Sequence, residues 1–213
     1  MGARLRDFDR QLEAIEAKVT GLFAMVCDDL PAVTAALLND HNEAAGQLAE
    51  SEQTINALYG EIEQVVSRAI LLWPPVASDL RFLLSVLRIA PELARSHGLV
   101  CHIASRAGHI PGAGLSPRCR ELTEQMGDLA SGVWRRTTDC WCQRDRSAVA
   151  ALAETNDEMD GLHATLMAEL ASGHMALPVT MEMTLVARFY QRLGDHAVNV
   201  ARRVIYLAGS AAA

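Results

Sequence analysis

The sequence predicts an all-α protein built from two tandem three-helix units. Three observations carry this. Helix-period patterning covers nearly all of the 213 residues, and no segment sustains strand alternation. Half of the residues are hydrophobic but only 5% are aromatic, a balance that favours helices packed on helices. Finally, the segment 184–201 has a blurred copy at 87–104. One fixed shift in numbering pairs Ala90 with Ala187, Arg95 with Arg192, Gly98 with Asp195, Ile103 with Val200 and Arg106 with Arg203. A slightly longer shift pairs Ile55 with Met159 and Leu58 with Leu162, which places a small insertion near Trp73-Pro74-Pro75. The duplication therefore runs helix for helix.

The elements follow from breakers and periodicity. A first helix starts near Arg4 and ends near Asn39–Asn42, with Pro31 as a point of bending because it removes a backbone donor. A second covers about Glu43 to Leu72 and stops at the double proline Pro74-Pro75. A third runs from about Ala77 to Ala107, with Ser78 or Asp79 as its cap and a bend at Pro91. Three glycines and two prolines between Gly108 and Pro117 form the one clear linker. A fourth helix covers about Arg118 to Trp141; Asp145 to Ser147 opens a fifth that ends near Gly173; Pro178 opens a sixth that reaches Leu207. The two units are residues 1–110 and 116–213, and the last five residues are expected to fray.

Charge and cysteine content narrow the function. The net charge is −7, which argues against a general nucleic-acid binder. No run of 18 apolar residues is present, so no transmembrane segment is expected. The N-terminus carries charges where a signal peptide needs an apolar run. Five cysteines, an odd number without C-x-x-C spacing, read as reduced thiols in a cytoplasmic protein. Cys140 and Cys142, near Arg135, Arg136 and Arg144, read as helix-end cysteines with no special chemistry, a redox-sensitive pair being the weaker alternative.

In the last helix, Val186, Tyr190, Leu193, Ala197, Val200 and Val204 make one apolar stripe, and Arg188, Gln191, Asp195, Asn199 and Arg202 make a polar one. In the third helix, Phe82, Val86, Ile89, Leu93 and His97 face the core, His97 as a hydrogen-bonded core histidine. Arg81, Arg88 and Arg95 recur every two turns as a basic ridge, each able to grip a carboxylate or phosphate with two prongs.

These residues resemble the PhoU family of phosphate-uptake regulators. The likeness rests on Asp79-Leu80-Arg81, on Leu87 to Ala90, on Arg192 to Asn199, on Ile55 to Ile62 and on the helix entry Pro74 to Arg81, and it spans about residues 20 to 207. The resemblance implies two three-helix bundles placed end to end. It also implies a cytoplasmic negative regulator, often a homodimer, working peripherally at the inner face of the membrane. Its implied partners are the ATPase subunit of a phosphate ABC transporter and a membrane sensor histidine kinase.

The family's hallmark is an acidic pair, one helical turn apart, in each repeat; in some members these pairs hold iron or zinc clusters. One turn places both carboxylates on one face. Here the pattern is eroded: Gln191 and Asp195 in the second repeat, Ala94 and Gly98 in the first. No cofactor is required on this reading. A single divalent, iron or zinc ion has Asp195, Gln191 and Asp160, or Asp157, as its ligand set. Regulation is then expected to run through protein contacts at Arg81, Arg88, Arg95, Arg188 and Asn199. Catalysis is not expected, because no Glu-x-x-His pair, phosphate loop or nucleophile elbow is present. An adaptor module or metal-binding bundle unrelated to phosphate is the alternative.

Overall fold

The computed structural model describes residues 2–39, 43–73, 75–110, 114–145 and 147–208. Six helices follow in order: α1 (Gly2–Asn39), α2 (Glu43–Leu72), α3 (Ala77–Ala107), α4 (Pro117–Gln143), α5 (Ala148–Ala171) and α6 (Leu177–Ala208). No strand occurs among the described residues.

Local chemistry sets the ends. Pro117 opens α4 at a position where its missing N–H costs nothing, and Ser116 caps it by accepting from the Cys119 N–H at 3.0 Å. Gly173, at φ 78°, takes the left-handed turn between α5 and α6. Arg144 adopts φ 53° without being glycine, and the cap is held by its side chain, which reaches Glu16 at 2.5 Å and lies 4.1 Å over the Trp141 ring. One expectation about the caps changes. Neither Ser78 nor Asp79 caps α3; Val76 stands at the N-cap with extended backbone, φ −84° and ψ 169°, and no side-chain bond. The segment from Asp145 to Ser147 opens α5 as expected, with Ser147 at the N-cap and Asp145 accepting from the Ser147 N–H at 2.8 Å. The helices continue through Pro31 and Pro91. The predicted end of the first helix at 40–42 lies outside the described residues.

Helices α1, α2 and α3 pack mutually, as do α4, α5 and α6. The two bundles then dock side by side, not end to end. Helix α1 lies along α4 in antiparallel sense: Glu16 meets Arg144, Thr20 meets Trp141, Cys27 meets Thr138 and the Leu38 carbonyl meets Arg120. Helix α3 lies along α6 in the same sense, from Arg81 over Tyr206 to Arg106 bonded to Glu182. The duplicated helices thus meet around an approximate twofold axis.

This arrangement makes one core from both halves. Trp134, Trp141, Tyr190 and Phe23 are buried to less than 2% exposure, and a fully buried large side chain stabilises by roughly 1.5–3 kcal/mol. Trp141 stacks between Phe23 of α1 and Phe82 of α3, and its indole N–H donates to Thr20 Oγ1 at 3.0 Å. Thr34 and Tyr190 join α1 to α6 through a buried 2.7 Å hydroxyl contact. Among the described residues, α1 is the one helix long and apolar enough to cross a membrane by length and composition. Its apolar residues Ile15, Val19, Leu22, Phe23, Val26 and Leu30 are at 0% exposure inside this core.

Two glycines test the packing in opposite directions. A Cβ at Gly127 would stand 2.4 Å from the Thr34 methyl, and Thr34 is held by Leu30 and Tyr190. A Cβ at Gly98 would meet nothing within 4 Å. Gly127→Ala is predicted to destabilise by about 1–3 kcal/mol through overpacking, and Gly98→Ala to stabilise by about 0.5–1 kcal/mol through helix propensity. Urea denaturation midpoints measure both; the reverse order would refute the side-by-side packing.

Candidate functional site

The antiparallel packing of α3 on α6 brings two arginine-bearing surfaces to one groove. At one end a cavity of about 820 Å³ is lined by Arg88, Glu92 and Arg95 of α3 and by Asn199, Arg202 and Arg203 of α6. Among the described residues no carboxylate pairs with Arg88, Arg202 or Arg203; only Arg95 has one, Glu92 at 2.9 Å. The groove continues into a second cavity of about 420 Å³, where Arg95, Arg192, His102 and His196 line the wall. A chain of net charge −7 therefore concentrates positive charge along a single seam, and a charged concave surface focuses the field on an incoming anion.

Of the five arginine and asparagine positions expected to bind partners, Arg88, Arg95 and Asn199 meet here. Arg81 lies in line on α3 but is half-buried, its guanidinium 5.4 Å from the centre of the Tyr206 ring. Arg188 lies elsewhere, on the side of α6 facing α5, and donates to Gln191 Oε1 at 2.5 Å. Periodicity separated Asn199 from Arg88 and missed Arg203, because only the packing of two distant helices joins them.

The eroded hallmark pair sits against α5. Gln191 Nε2 donates to Asp160 Oδ1 at 2.6 Å, and Asn156 Nδ2 donates to Asp195 Oδ1 at 3.3 Å. Asp195 accepts from this amide, and among the described residues no arginine bonds it. Asp157 is exposed and no bond ties it to these residues. The donor set suits a hydrogen-bonded strip: two carboxylates each met by an amide. Among the described residues no three His, Cys, Asp or Glu side chains gather as metal ligands. A multinuclear cluster needs more charge than Asp160 and Asp195 supply. In the first repeat Ala94 and Gly98 offer no donor, and the neighbouring surface is Asn56 and Tyr59.

Beneath that surface the first repeat holds a different polar cluster. His97 is fully buried. Its Nε2 lies 2.7 Å from Asp29 Oδ2 and 2.9 Å from Ser51 Oγ, and Ser51 donates to Asp29 at 2.8 Å. Burial alone would raise the Asp29 carboxyl, but hydrogen bonds from His97 and Ser51 hold it below the usual range. Cys101 Sγ is 3.5 Å from His97 Nδ1, yet burial, with Glu52 and Asp29 nearby, pushes the thiol up to about 12. A thiol so placed stays protonated and is no nucleophile. His97 is the satisfied core histidine that its helix position predicted. Cys140 is buried and burial raises its thiol likewise, while Cys142 is exposed.

The comparisons with known proteins agree with this architecture. The family model described as PhoU domain matches residues 19–107 and again 123–204. A phosphate-specific transport system accessory protein PhoU homolog from Zymomonas mobilis is 28% identical over 212 residues, covering 98% of this chain and 89% of that protein. PhoU homolog 1 of Mycobacterium tuberculosis is 30% identical over 177 residues, covering 82% and 80%. The crystal structure of PhoU from Pseudomonas aeruginosa superposes with a TM-score of 0.88 at 25% identity, covering 94% of this chain and 98% of that one.

One residue of the groove gives a pH signature. Burial lowers the His196 pKa from 6.5, and Glu92 only partly opposes this. The unfolded chain therefore takes up a proton before the folded one, so stability is whole above 6.5 and is lost as pH falls from there toward the folded pKa. Denaturation at about pH 7.5 and about pH 5.5 should show a smaller loss for His196→Gln than for the parent; equal losses would contradict the assignment.

Proposed function

The chain belongs to the PhoU family, and on that premise we propose that it is a negative regulator of phosphate uptake and of phosphate-starvation signalling that works by protein contact. The family match is to accessory proteins of phosphate-specific transport systems. The observation that supports a contact mechanism is the arginine groove between α3 and α6. Arg88, Arg95, Arg202 and Arg203 with Asn199 form a surface for acidic side chains, and arginine binds carboxylates with paired, planar hydrogen bonds.

On this reading the partners are the ATPase subunit of a phosphate ABC transporter and a membrane sensor histidine kinase. When phosphate is plentiful, docking restrains transport and holds the kinase in its quiet state. The protein acts as a homodimer in the cytoplasm, peripheral to the membrane. It performs no catalysis of its own. No metal is required: Gln191 and Asn156 already bond Asp160 and Asp195.

Deletion of the gene should derepress phosphate-starvation genes in phosphate-rich medium. Complementation with Arg88→Ala/Arg202→Ala should fail, and the variant should capture the ATPase subunit and the kinase at least about tenfold less than the parent, given two lost charge-assisted contacts. Unchanged starvation-gene expression in the deletion strain, or unchanged capture by a folded double variant, would count against the proposal.

A further inference from the structure

The smaller cavity beside the docking groove is built differently from it. Its wall carries Arg95 and Arg192, which are the same position in the two repeats, together with His102 and His196. Duplicated helices in antiparallel contact bring equivalent residues together only near the twofold axis. The Ser96–His196 contact at 3.1 Å places the axis here. Two like charges are thereby turned into one cavity. No carboxylate lines it, and among the described residues none pairs with Arg192. Glu92, at the edge of the adjoining groove, offsets Arg95 at 2.9 Å and lies 3.5 Å from His196 Nδ1, so the charge left unmatched on this wall is that of Arg192, and an unmatched charge on a concave wall marks a functional site.

Three further features describe what would fit. Arg106 also lines the cavity; one Nη is bonded to Glu182 at 2.9 Å, but its Nε is buried without an acceptor. The remaining wall is apolar: Leu99 and Phe189, whose ring lies 5.5 Å from the His102 ring. Gly98 opens the floor, since a Cβ there would meet nothing. At about 420 Å³ the space is many times the roughly 30 Å³ of one water and falls within the size range of small-molecule sites.

We propose that this cavity binds a phosphorylated small molecule, its phosphoryl group between Arg95 and Arg192 and its carbon portion against Phe189 and Leu99. A phosphoryl dianion matches two guanidinium groups and the donor edges of two imidazoles. The apolar wall favours an organic phosphate over the inorganic ion. The inference stands apart from the regulator reading, because it needs only the purified chain and a ligand.

The test titrates the purified full-length protein with phenyl phosphate, inorganic phosphate and benzyl alcohol, by calorimetry and by NMR of the histidine rings. Phenyl phosphate should bind and shift the His102 and His196 signals. Inorganic phosphate should bind several-fold more weakly, and benzyl alcohol should not bind. Arg192→Ala should weaken phenyl phosphate binding about tenfold or more. Gly98→Asp, which sets a carboxylate in the open floor, should abolish it while circular dichroism stays unchanged. Arg88→Ala should leave it intact. No binding of phenyl phosphate, equal binding of inorganic phosphate, retained binding in Gly98→Asp, or loss in Arg88→Ala would each overturn the assignment. None of these results depends on whether a transporter or kinase is captured.

Discussion

The antiparallel docking of one three-helix repeat on its copy is the constraint from which the rest follows. Each bundle alone would expose the apolar faces of its first and third helices. Pairing α1 with α4 and α3 with α6 buries those faces together, with Trp141 wedged between Phe23 and Phe82 and with Thr34 bonded to Tyr190. Burial without polar satisfaction would be costly; the Trp141 indole and Tyr190 phenol hydrogens each find a hydroxyl across the interface, while the Trp134 indole N–H is buried without an acceptor. The same docking decides what lies on the outside, because α3 and α6 can share a groove only if the repeats meet along their lengths.

That geometry separates the surface into two kinds of polar face. The α5 side of α6 is a strip in which amides meet carboxylates, Gln191 with Asp160 and Asn156 with Asp195. Its groups satisfy one another. The α3 side is basic and largely unpaired, with Arg88, Arg192, Arg202 and Arg203 lacking carboxylate partners among the described residues. Ala94 and Gly98 supply no metal donor, and Gly98 is open floor beside Arg95 and Arg192. A position that carries charge toward α5 in one repeat thus gives space toward the groove in the other.

Much of this was readable from the residues. Helix number and extent followed from apolar periodicity and from Pro74-Pro75, Gly173 and Pro117, which act through backbone rules that need no tertiary context. The repeat register foretold that Arg95 and Arg192 are equivalent, and the position of His97 foretold its burial. Val76 takes the N-cap in place of Ser78, and with no side-chain bond there that position carries no capping signal in the sequence. The side-by-side docking was not legible, since periodicity reports which face is buried and not what covers it. For that reason Arg81 was grouped with Arg88 and Arg95, although Tyr206 covers it, and His102, His196 and Arg203 were not singled out as site residues. Their signal was present in the repeat itself: Arg106 and Arg203 are equivalent positions, and both line the α3–α6 seam.

Hydrogen–deuterium exchange on the full-length protein, alone and with the detergent-solubilised phosphate transporter, addresses the central claim most directly. The account predicts new protection concentrated in peptides spanning Arg88 to Arg95 and Asn199 to Arg203, with α5 unchanged. Protection confined to the Asp160–Gln191 strip, with the arginine groove still exchanging freely, would contradict it.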